Sequence, residues 1–323
     1  MKHLYVLLYT LFVVAHLQAQ QPAQNSLYML NPYGVNPAAA GLSNTMVATG
    51  GYRAQWVGIE GNPTTQYVNV SLPLSIIGSG LGISLHNESI GARNGLSAKA
   101  SYNYIMKIRE GSLSFGAAGG IVQGAISGNK LRTPDGVYEP NGSIDHRDKI
   151  LSTIAINGIT PTFDAGIYYK SEKFEGGIST TNLTEPKLTL SGQQQLTMTL
   201  KRNYFALAVV HFNMSKSISV HPSLLVKSDA IQTQIDFSTF FRYNDNIFLG
   251  ASFRGYSKNT QDALAAFGGI QLNPKLMLGY SYDITMSALK STTQGTHEIV
   301  LQYNLGKEFG KGKLPPIIYN PRF

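Results

Sequence analysis

Alternation of apolar and polar residues with period two runs through most of the chain and constrains its fold more than any other feature. In HEIVLQYNL, Ile299, Leu301 and Tyr303 fall on one side of an extended chain, and Glu298 falls on the other. Consecutive side chains of a strand point to opposite faces of the sheet. Each such segment therefore predicts a β-strand with one apolar face and one polar face.

The alternating segments predict about fourteen strands. Most have roughly 9 to 13 residues, which is longer than the average strand of soluble proteins and close to the length that a tilted strand needs to cross a bilayer. The predicted strands lie near residues 46–57, 64–74, 79–88, 94–108, 111–124, 162–170, 173–183, 201–213, 217–227, 231–243, 246–257, 261–272, 275–283 and 295–305.

Connections between these strands alternate in length. Every second connection is short, whereas the long ones, roughly 125–161, 184–200 and 284–294, all fall at the opposite end of the strands. Bacterial outer-membrane barrels have tight periplasmic turns and longer extracellular loops. The sequence thus predicts an all-β, transmembrane, antiparallel up-and-down β-barrel, with both ends of the chain on the periplasmic side.

Composition agrees with this interpretation and excludes several classes of site. Charged residues make up 14% of the chain, where a soluble domain has about 25%. The chain has no cysteine, which excludes disulfides, thiolate metal sites and a cysteine nucleophile. The formal net charge of +8 is spread along the sequence, and no basic stripe or recognition motif indicates a nucleic-acid partner.

The chain divides into four predicted regions. Residues 1–19, with a basic start and a short apolar run, are predicted to be a signal peptide. Residues 20–45 form a periplasmic or lumenal lead-in, 46–305 the barrel, and 306–323 a C-terminal periplasmic tail. Repeated Asn-Pro pairs predict an extended, non-helical lead-in. It either plugs the lumen, lines the periplasmic mouth or serves as an ordered linker.

Polar faces of the strands carry charged residues that suit a barrel lumen. A basic side chain at mid-depth on the lipid face would cost roughly 2–4 kcal/mol, so these residues are predicted to face the interior. Trp56 is predicted to lie on the opposite face near the outer end, as an anchor at the membrane interface. The predicted lumen residues are Arg53, Gln55, Lys99, Asp236, Arg242, Arg254 and Glu298.

Catalytic and cofactor motifs are missing from the sequence. It has no GxSxG elbow, HExxH motif, phosphate-binding loop or GxGxxG turn. We therefore expect neither enzymatic activity nor a bound cofactor. One polar loop offers oxygen ligands for a hard cation, although its spacing matches no calcium loop and a solvated loop is the alternative. Its candidate ligands are Asp135, Glu139, Asn141, Asp145 and Asp148.

Several longer motifs resemble those of one known family. The runs LNPYGVNPAAAG, YRAQWVGIEGNPTTQ, SLPL, HPSLL, FFRYNDNIFLGASFRG, GYSYDIT and GTHEIVLQYNL, and the final PRF, occur in order over nearly the whole mature chain. In this respect the chain resembles the PorP/SprF family of type IX secretion membrane proteins. The resemblance implies an outer-membrane barrel that serves protein export, beside the secretion and gliding machinery.

What the resemblance implies about partners is a secreted cargo protein. Some family members accompany large adhesins that carry a type B C-terminal signal, and they help to export them or hold them at the surface. Outer residues Ile59, Glu60 and Asn62, and Asp283 with the loop that follows it, are the candidate contacts for a folded signal domain. Translocon or motor components and outer-membrane lipid are further expected partners. The alternative function is a channel for small or apolar solutes.

Overall fold

The computed structural model describes residues 24–139, 142–148, 151, 153–191, 195–256 and 260–308, most of which lie in one β-barrel. Its strands are β1 (Thr45–Ala54), β2 (Thr64–Leu74), β3 (Ser79–Ile90), β4 (Arg93–Ile108), β5 (Gly111–Ser127), β6 (Ala155–Ser171), β7 (Phe174–Thr181), β8 (Asn203–Val210 and Phe212–Asn213), β9 (Ile218–Ser228), β10 (Thr233–Tyr243), β11 (Ile247–Arg254), β12 (Ala263–Asn273), β13 (Leu276–Thr285) and β14 (Thr296–Glu308).

The sheet closes on itself through antiparallel pairs. Each strand pairs with its neighbours in the sequence, and β1 also pairs with β14. Tyr52 of β1 lies opposite Gln66 of β2 on one side and opposite Ile299 of β14 on the other. Closure gives the strand backbone partners on both sides, which the bilayer core requires. The prediction of an antiparallel up-and-down barrel with about fourteen strands is confirmed.

Strand β6 differs most from the prediction, because it begins at Ala155 rather than near residue 162. Its first residues continue the ladder with β5 as far as the pair Ala155–Ser127. Pro161 lies inside this ladder, opposite Ile121. A proline usually argues against a strand interior because it has no N–H to donate, and this concealed the start of β6. Strands β5 and β6 therefore both extend toward the long-loop end.

The turn between β10 and β11 shows how the sequence determines a tight connection at the periplasmic end of the barrel. Asn244 and Asp245 have φ angles of 48° and 54°, and the N–H of Asn246 donates to the carbonyl of Tyr243 at 3.0 Å. Two successive residues with positive φ form the two-residue hairpin turn whose twist matches that of the strands, and Asn and Asp adopt it readily. This turn joins β10 directly to β11.

The two faces of the barrel wall have opposite character. On β10, Phe237 and Phe241 are 53% and 51% exposed, whereas Asp236 and Ser238, the two neighbours of Phe237 in the chain, are buried. The same alternation recurs on the other strands and surrounds the barrel with exposed Ile, Leu, Phe and Tyr side chains. An outward apolar band around a polar interior is the pattern of a barrel in lipid.

Short secondary-structure elements occupy the connections. Two small ladders pair Val137–Tyr138 with Ile144–Asp145 and Lys187–Leu190 with Leu196–Thr199. The second ladder packs Leu188 and Leu190 into a small apolar cluster with Ile156 of β6. Among the described residues, none of the helices has the length and apolar content to cross a membrane. The 3-10 turns of the connections are Ser75–Ile77, Gly128–Lys130 and Ala288–Ser291.

Residues 24–44, here called the plug, fill the barrel interior. They form three single 3-10 turns, Tyr28–Leu30, Pro32–Gly34 and Pro37–Ala39, and not the extended chain that the Asn-Pro pairs predicted. The two prolines begin their turns, where the missing N–H is no loss. Asn36 caps the third turn by accepting the N–H of Ala38 at 2.9 Å. Of the three predicted alternatives, the structure shows a lumen plug.

The plug runs from the long-loop end of the barrel to the periplasmic end. Gln24 exchanges amide hydrogen bonds with Gln55 and Gln234, which lie at the outer ends of β1 and β10. Gly41 donates its N–H to Ser71 near the periplasmic end of β2. Gln24, the first described residue, therefore lies in the lumen at the long-loop end of the strands.

Two predicted regions fall wholly or mainly outside the described residues. The predicted signal peptide, 1–19, lies outside them, as do residues 20–23 of the lead-in and 309–323 of the tail. The last strand continues three residues past the predicted barrel end, to Glu308.

Candidate functional site

A buried charge network lies in the outer part of the lumen, where five strands meet. Arg53 of β1 contacts Asp283 of β13 at 2.8 Å and Glu298 of β14 at 2.9 Å. Arg254 of β11 contacts Asp283 at 3.2 Å and Asp236 of β10 at 3.1 Å. All five side chains are at most 3% exposed. Each ion is thus paired, as a buried charge requires, and the network ties distant strands together.

Ser26 of the plug is the centre of this network. Its backbone N–H donates to Glu298 at 2.6 Å, and its hydroxyl donates to Asp283 at 2.7 Å. The same hydroxyl oxygen accepts from Arg53 at 3.0 Å and from Arg254 at 2.9 Å. The backbone N–H and the hydroxyl of one serine therefore bond to four charged side chains, and the hydroxyl uses its one donor and both acceptor sites. Bonds to charged groups are the stronger ones, so Ser26 fastens the outer end of the plug.

Side-chain amides of the barrel wall form hydrogen bonds with backbone carbonyls in the rest of the plug. Asn103 of β4 donates to the carbonyls of Ala38 and Ala40 at 3.0 and 2.8 Å. Gln302 of β14 donates to the carbonyl of Leu30 at 2.8 Å. In return, Asn36 of the plug donates to two strand carbonyls, one on β6 and one on β7. These bonds reach opposite sides of the barrel and satisfy plug carbonyls that would otherwise be buried without partners.

Apolar contacts also hold the plug against the lumen wall. Leu27 and Tyr28 are 0% and 2% exposed, and they share one cluster with Phe240, Phe248 and Phe267 of the lumen wall. Burying a side chain of this size stabilises by about 1.5–3 kcal/mol. The Tyr28 hydroxyl finds a polar partner in Ser223 at 3.1 Å. The plug therefore meets apolar as well as polar side chains of the lumen wall.

The plug separates two cavities. The outer cavity, of about 480 Å³, lies between plug residues 33–37 and the wall from β3 to β8. The periplasmic cavity, of about 200 Å³, lies below the plug near Lys170 and Glu175. Tyr33 lines both cavities, and its hydroxyl accepts a hydrogen bond from Ser101 at 3.0 Å. Its ring is therefore part of the partition between the two ends of the lumen.

All seven residues predicted to face the lumen have their side chains on the inner side of the barrel. Four of them form the charge network just described. Of the others, Gln55 donates to Gln24 of the plug at 3.1 Å. Lys99 pairs with Asp164 at 2.6 Å. Arg242 lines the periplasmic cavity, with its guanidinium 5.9 Å from the ring centre of Phe240.

Two predicted sites are corrected by the structure. Asp283 was a candidate for contact from the outer surface, but it is 1% exposed and held by two arginines inside the lumen. Trp56 was expected at the membrane interface, but it lines the outer cavity. Strand β1 ends at Ala54, and Trp56 has a φ of 53°. Period-two alternation therefore no longer decides which way its side chain points.

The turn after β1 holds the other predicted contacts. Glu60 is exposed, and Ile59 is partly exposed. Asn62 has a structural role as well, because its amide donates to the carbonyl of Gln55 at 2.9 Å. Gly61, with φ of 70°, accepts the N–H of Gly91 at 2.9 Å, which joins this turn to the tip between β3 and β4. The turn is thus ordered, and Glu60 is its most accessible charged group.

The polar loop proposed for a cation shows no metal cluster in its described part. Asp145 accepts the N–H of Arg147 at 2.9 Å, and Asp148 accepts the N–H of Leu151 at 3.3 Å. Asn141 lies outside the described residues. Where the structure describes the chain, no group of three or more His, Cys, Asp or Glu side chains is placed to hold a metal ion.

Sequence reasoning did not identify Ser26, Asn36, Asn103 or Tyr33 as parts of the site. Serine and asparagine are common in turns and loops, so a single Ser26 in a polar lead-in carried no signal. Asn103 lies on a predicted polar face, and the repeated Asn-Pro pairs were the one available indication that Asn36 is special.

Gly116 tests how closely the plug fits its wall. A Cβ atom at this position would lie 2.5 Å from the Cα atom of Ala38 in the plug. We expect Gly116→Val to displace the plug backbone and to destabilise the barrel by about 1–3 kcal/mol, the usual cost of overpacking. Denaturant unfolding of the purified protein measures this. Gly95→Val is the matched control, because a Cβ atom there would have no neighbour within 4 Å. Equal unfolding midpoints for the two variants would contradict the close fit.

Solved structures similar to this chain include an outer membrane protein, a hydrocarbon channel and a porin. The outer membrane protein Omp33 of Acinetobacter baumannii is 9% identical, with a TM-score of 0.46 over 82% of this chain and 99% of that chain. A mutant of the monoaromatic hydrocarbon channel TodX is 10% identical, with a TM-score of 0.47 over 90% and 96%. A mutant porin of Rhodopseudomonas blastica is 8% identical, with a TM-score of 0.36 over 80% and 98%. No curated protein matches the sequence.

The family of the chain follows from a match over most of its length. The family model described as type IX secretion system membrane protein PorP/SprF matches residues 17–303. This range includes the plug and the barrel as far as the middle of β14, so the match covers the site as well as the wall. The chain therefore belongs to the PorP/SprF family of type IX secretion system membrane proteins.

Proposed function

We propose that this outer-membrane barrel is an accessory component of type IX secretion that binds an exported protein at the cell surface. The cargo is a protein with a type B C-terminal signal, such as a large adhesin, which the barrel helps to export or anchors after export. Translocon or motor-associated components are its other partners. The role is binding rather than catalysis, because the charge network around Ser26 consists of ions that are paired with one another and fasten the plug.

The observation that best supports this proposal is the plugged lumen. Ser26, Asn36 and Leu27 hold the plug to the wall by charge-assisted bonds, amide bonds and apolar packing. A barrel for free solute passage would need a water-filled path, and the plug occupies it. The outer cavity and the turn at Ile59, Glu60 and Asn62 remain on the exterior side, where a secreted partner is met.

Deletion of the gene tests the proposal. We expect the deletion strain to lose one or a few large proteins with a type IX C-terminal signal from its surface, and to release or degrade them, because their docking barrel is gone. Quantitative mass spectrometry of the surface and of the culture medium measures this, with the wild-type gene restored as the control. An unchanged surface proteome together with altered solute uptake would support the channel alternative instead.

A further inference from the structure

We propose that the outer cavity receives a short, extended peptide segment that carries a carboxylate, contributed by the exported partner. This inference rests on the proposed function and assigns the chemistry of the contact. The cavity borders the turn at Glu60, where a folded domain would dock, through Trp56 and Pro63. A peptide that enters the cavity would add an anchored tail to that surface contact.

The shape of the outer cavity fits a peptide end better than a passing solute. Its volume of about 480 Å³ lies in the range of about 300–1,000 Å³ that ligand sites occupy. Its floor is the plug at Tyr33 and Asn36, and Asn36 is tied to β6 and β7 at 3.0 and 3.1 Å. Its upper wall includes Ile90 and Arg93 at the tip of β3 and β4. A ligand enters from the outer side and stops at the plug.

Charges along the cavity wall favour an anion. Lys99 is 2.6 Å from Asp164, whose other carboxylate oxygen accepts the N–H of Asn182 at 3.1 Å. The carboxylate at the bottom of the wall is therefore already neutralised and bonded. With histidine taken as neutral, the lining has three cations and two carboxylates, a surplus of one positive charge. The cations are Arg93, Lys99 and Lys201, and the carboxylates are Glu88 and Asp164.

A buried acceptor on the same wall calls for an N–H donor. Asn203 is 9% exposed and lines the cavity. Its amide nitrogen donates to Lys201 and Thr181, but its amide oxygen has no hydrogen-bond partner within the described protein. A buried acceptor without a partner costs about 1–3 kcal/mol. A backbone N–H of a bound peptide would satisfy it. Peptides combine such donors with a carboxylate, whereas a simple anion or an apolar solute does not.

The competing occupant is the chain's own beginning. Gln24, the first described residue, lines the outer cavity. An amino terminus would bring a further positive charge to a wall that already has a cationic surplus. We therefore assign the cavity to the partner, and the experiment keeps the other occupant as an outcome that would overturn the assignment.

Photo-crosslinking in living cells identifies the occupant. In three separate strains, a photoreactive phenylalanine analogue replaces one residue of the barrel. The replaced residue is Ser97 in the wall of the outer cavity, Ile59 in the outer turn, or Ser112 at the periplasmic end of β5. We expect position 97 to cross-link to a chain-terminal peptide of an exported protein, position 59 to its folded domain, and position 112 to neither. Mass spectrometry of the cross-linked peptides gives the assignment.

Contrary outcomes separate the two proposals. Cross-links from position 97 to residues 20–23 would overturn the cavity assignment. Capture of an exported protein at position 59 alone would also overturn it, but the proposed function would stand. Capture of an exported protein at neither position would overturn both.

Charge reversal gives a quantitative test of the same site. We expect Lys201→Glu to reduce the partner cross-linked from position 97 by about tenfold, because an attractive charge contact becomes repulsive. Lys216→Glu is the matched control, since Lys216 is exposed in the short turn before β9 at the opposite end of the barrel. Equal yields for the two variants, at equal amounts of folded barrel, would overturn the role of the cationic wall.

Discussion

Replacement of Arg53 by alanine is expected to destabilise the barrel by about 3–5 kcal/mol, the cost of leaving a buried ion without its partner. Arg53 contacts Asp283 at 2.8 Å and Glu298 at 2.9 Å, and both carboxylates are almost fully buried. It also donates to Ser26 at 3.0 Å. Its loss would leave Glu298 with no cation and would release one of the four partners of Ser26.

Unfolding in denaturant, followed by the heat-dependent gel mobility of a folded barrel, measures the loss. Lys107→Ala is the matched control, because this substitution also removes one positive charge. Lys107 is exposed at the periplasmic end of β4. A second variant, Arg53→Met with Glu298→Gln, removes a cation and an anion together. It should recover part of the stability, since the number of unpaired buried charges falls. An unfolding midpoint of Arg53→Ala equal to that of Lys107→Ala would contradict the structural importance of the network.

The wall of the barrel could be predicted from the sequence because its rule is local. In each strand, the alternation of apolar and polar residues indicates which side chains face the lipid and which face the lumen. Glu298 and Asp236 could therefore be assigned to the lumen without knowledge of their partners. The rule fails where the strand ends. Trp56 lies two residues beyond the end of β1 in a left-handed conformation, and its predicted position on the outer face is wrong for that reason.

The contents of the barrel could not be predicted in the same way. Ser26 meets Arg53, Arg254, Asp283 and Glu298, which lie up to 272 residues from it in the chain. These side chains come together only because β1 closes onto β14 and the plug runs through the interior. A single sequence contains no signal for such a convergence. Asp283 illustrates the point, because its position near a loop suggested exposure while its partners bury it.

Removal of the plug is expected to change the barrel from closed to conducting. In small barrels of about eight strands side chains fill the interior, whereas barrels of 16–18 strands hold an aqueous channel. Fourteen strands lie between these cases, and here the plug provides the filling, with Leu27, Tyr28 and Ala38 almost fully buried. Deletion of residues 24–42 should therefore open a water-filled path.

Planar-bilayer recording of the purified proteins measures this change. We expect long-lived conductance steps for the deletion variant and none for the intact protein under the same voltage. Tyr33→Ala serves as a milder variant that keeps the Ser26 contacts, and it should give smaller, brief openings because Tyr33 lies between the two cavities. It also keeps the test valid if the deletion variant fails to fold. If the intact barrel already conducts as much as the variants, the plug is not the seal, and the solute-channel function becomes the better explanation.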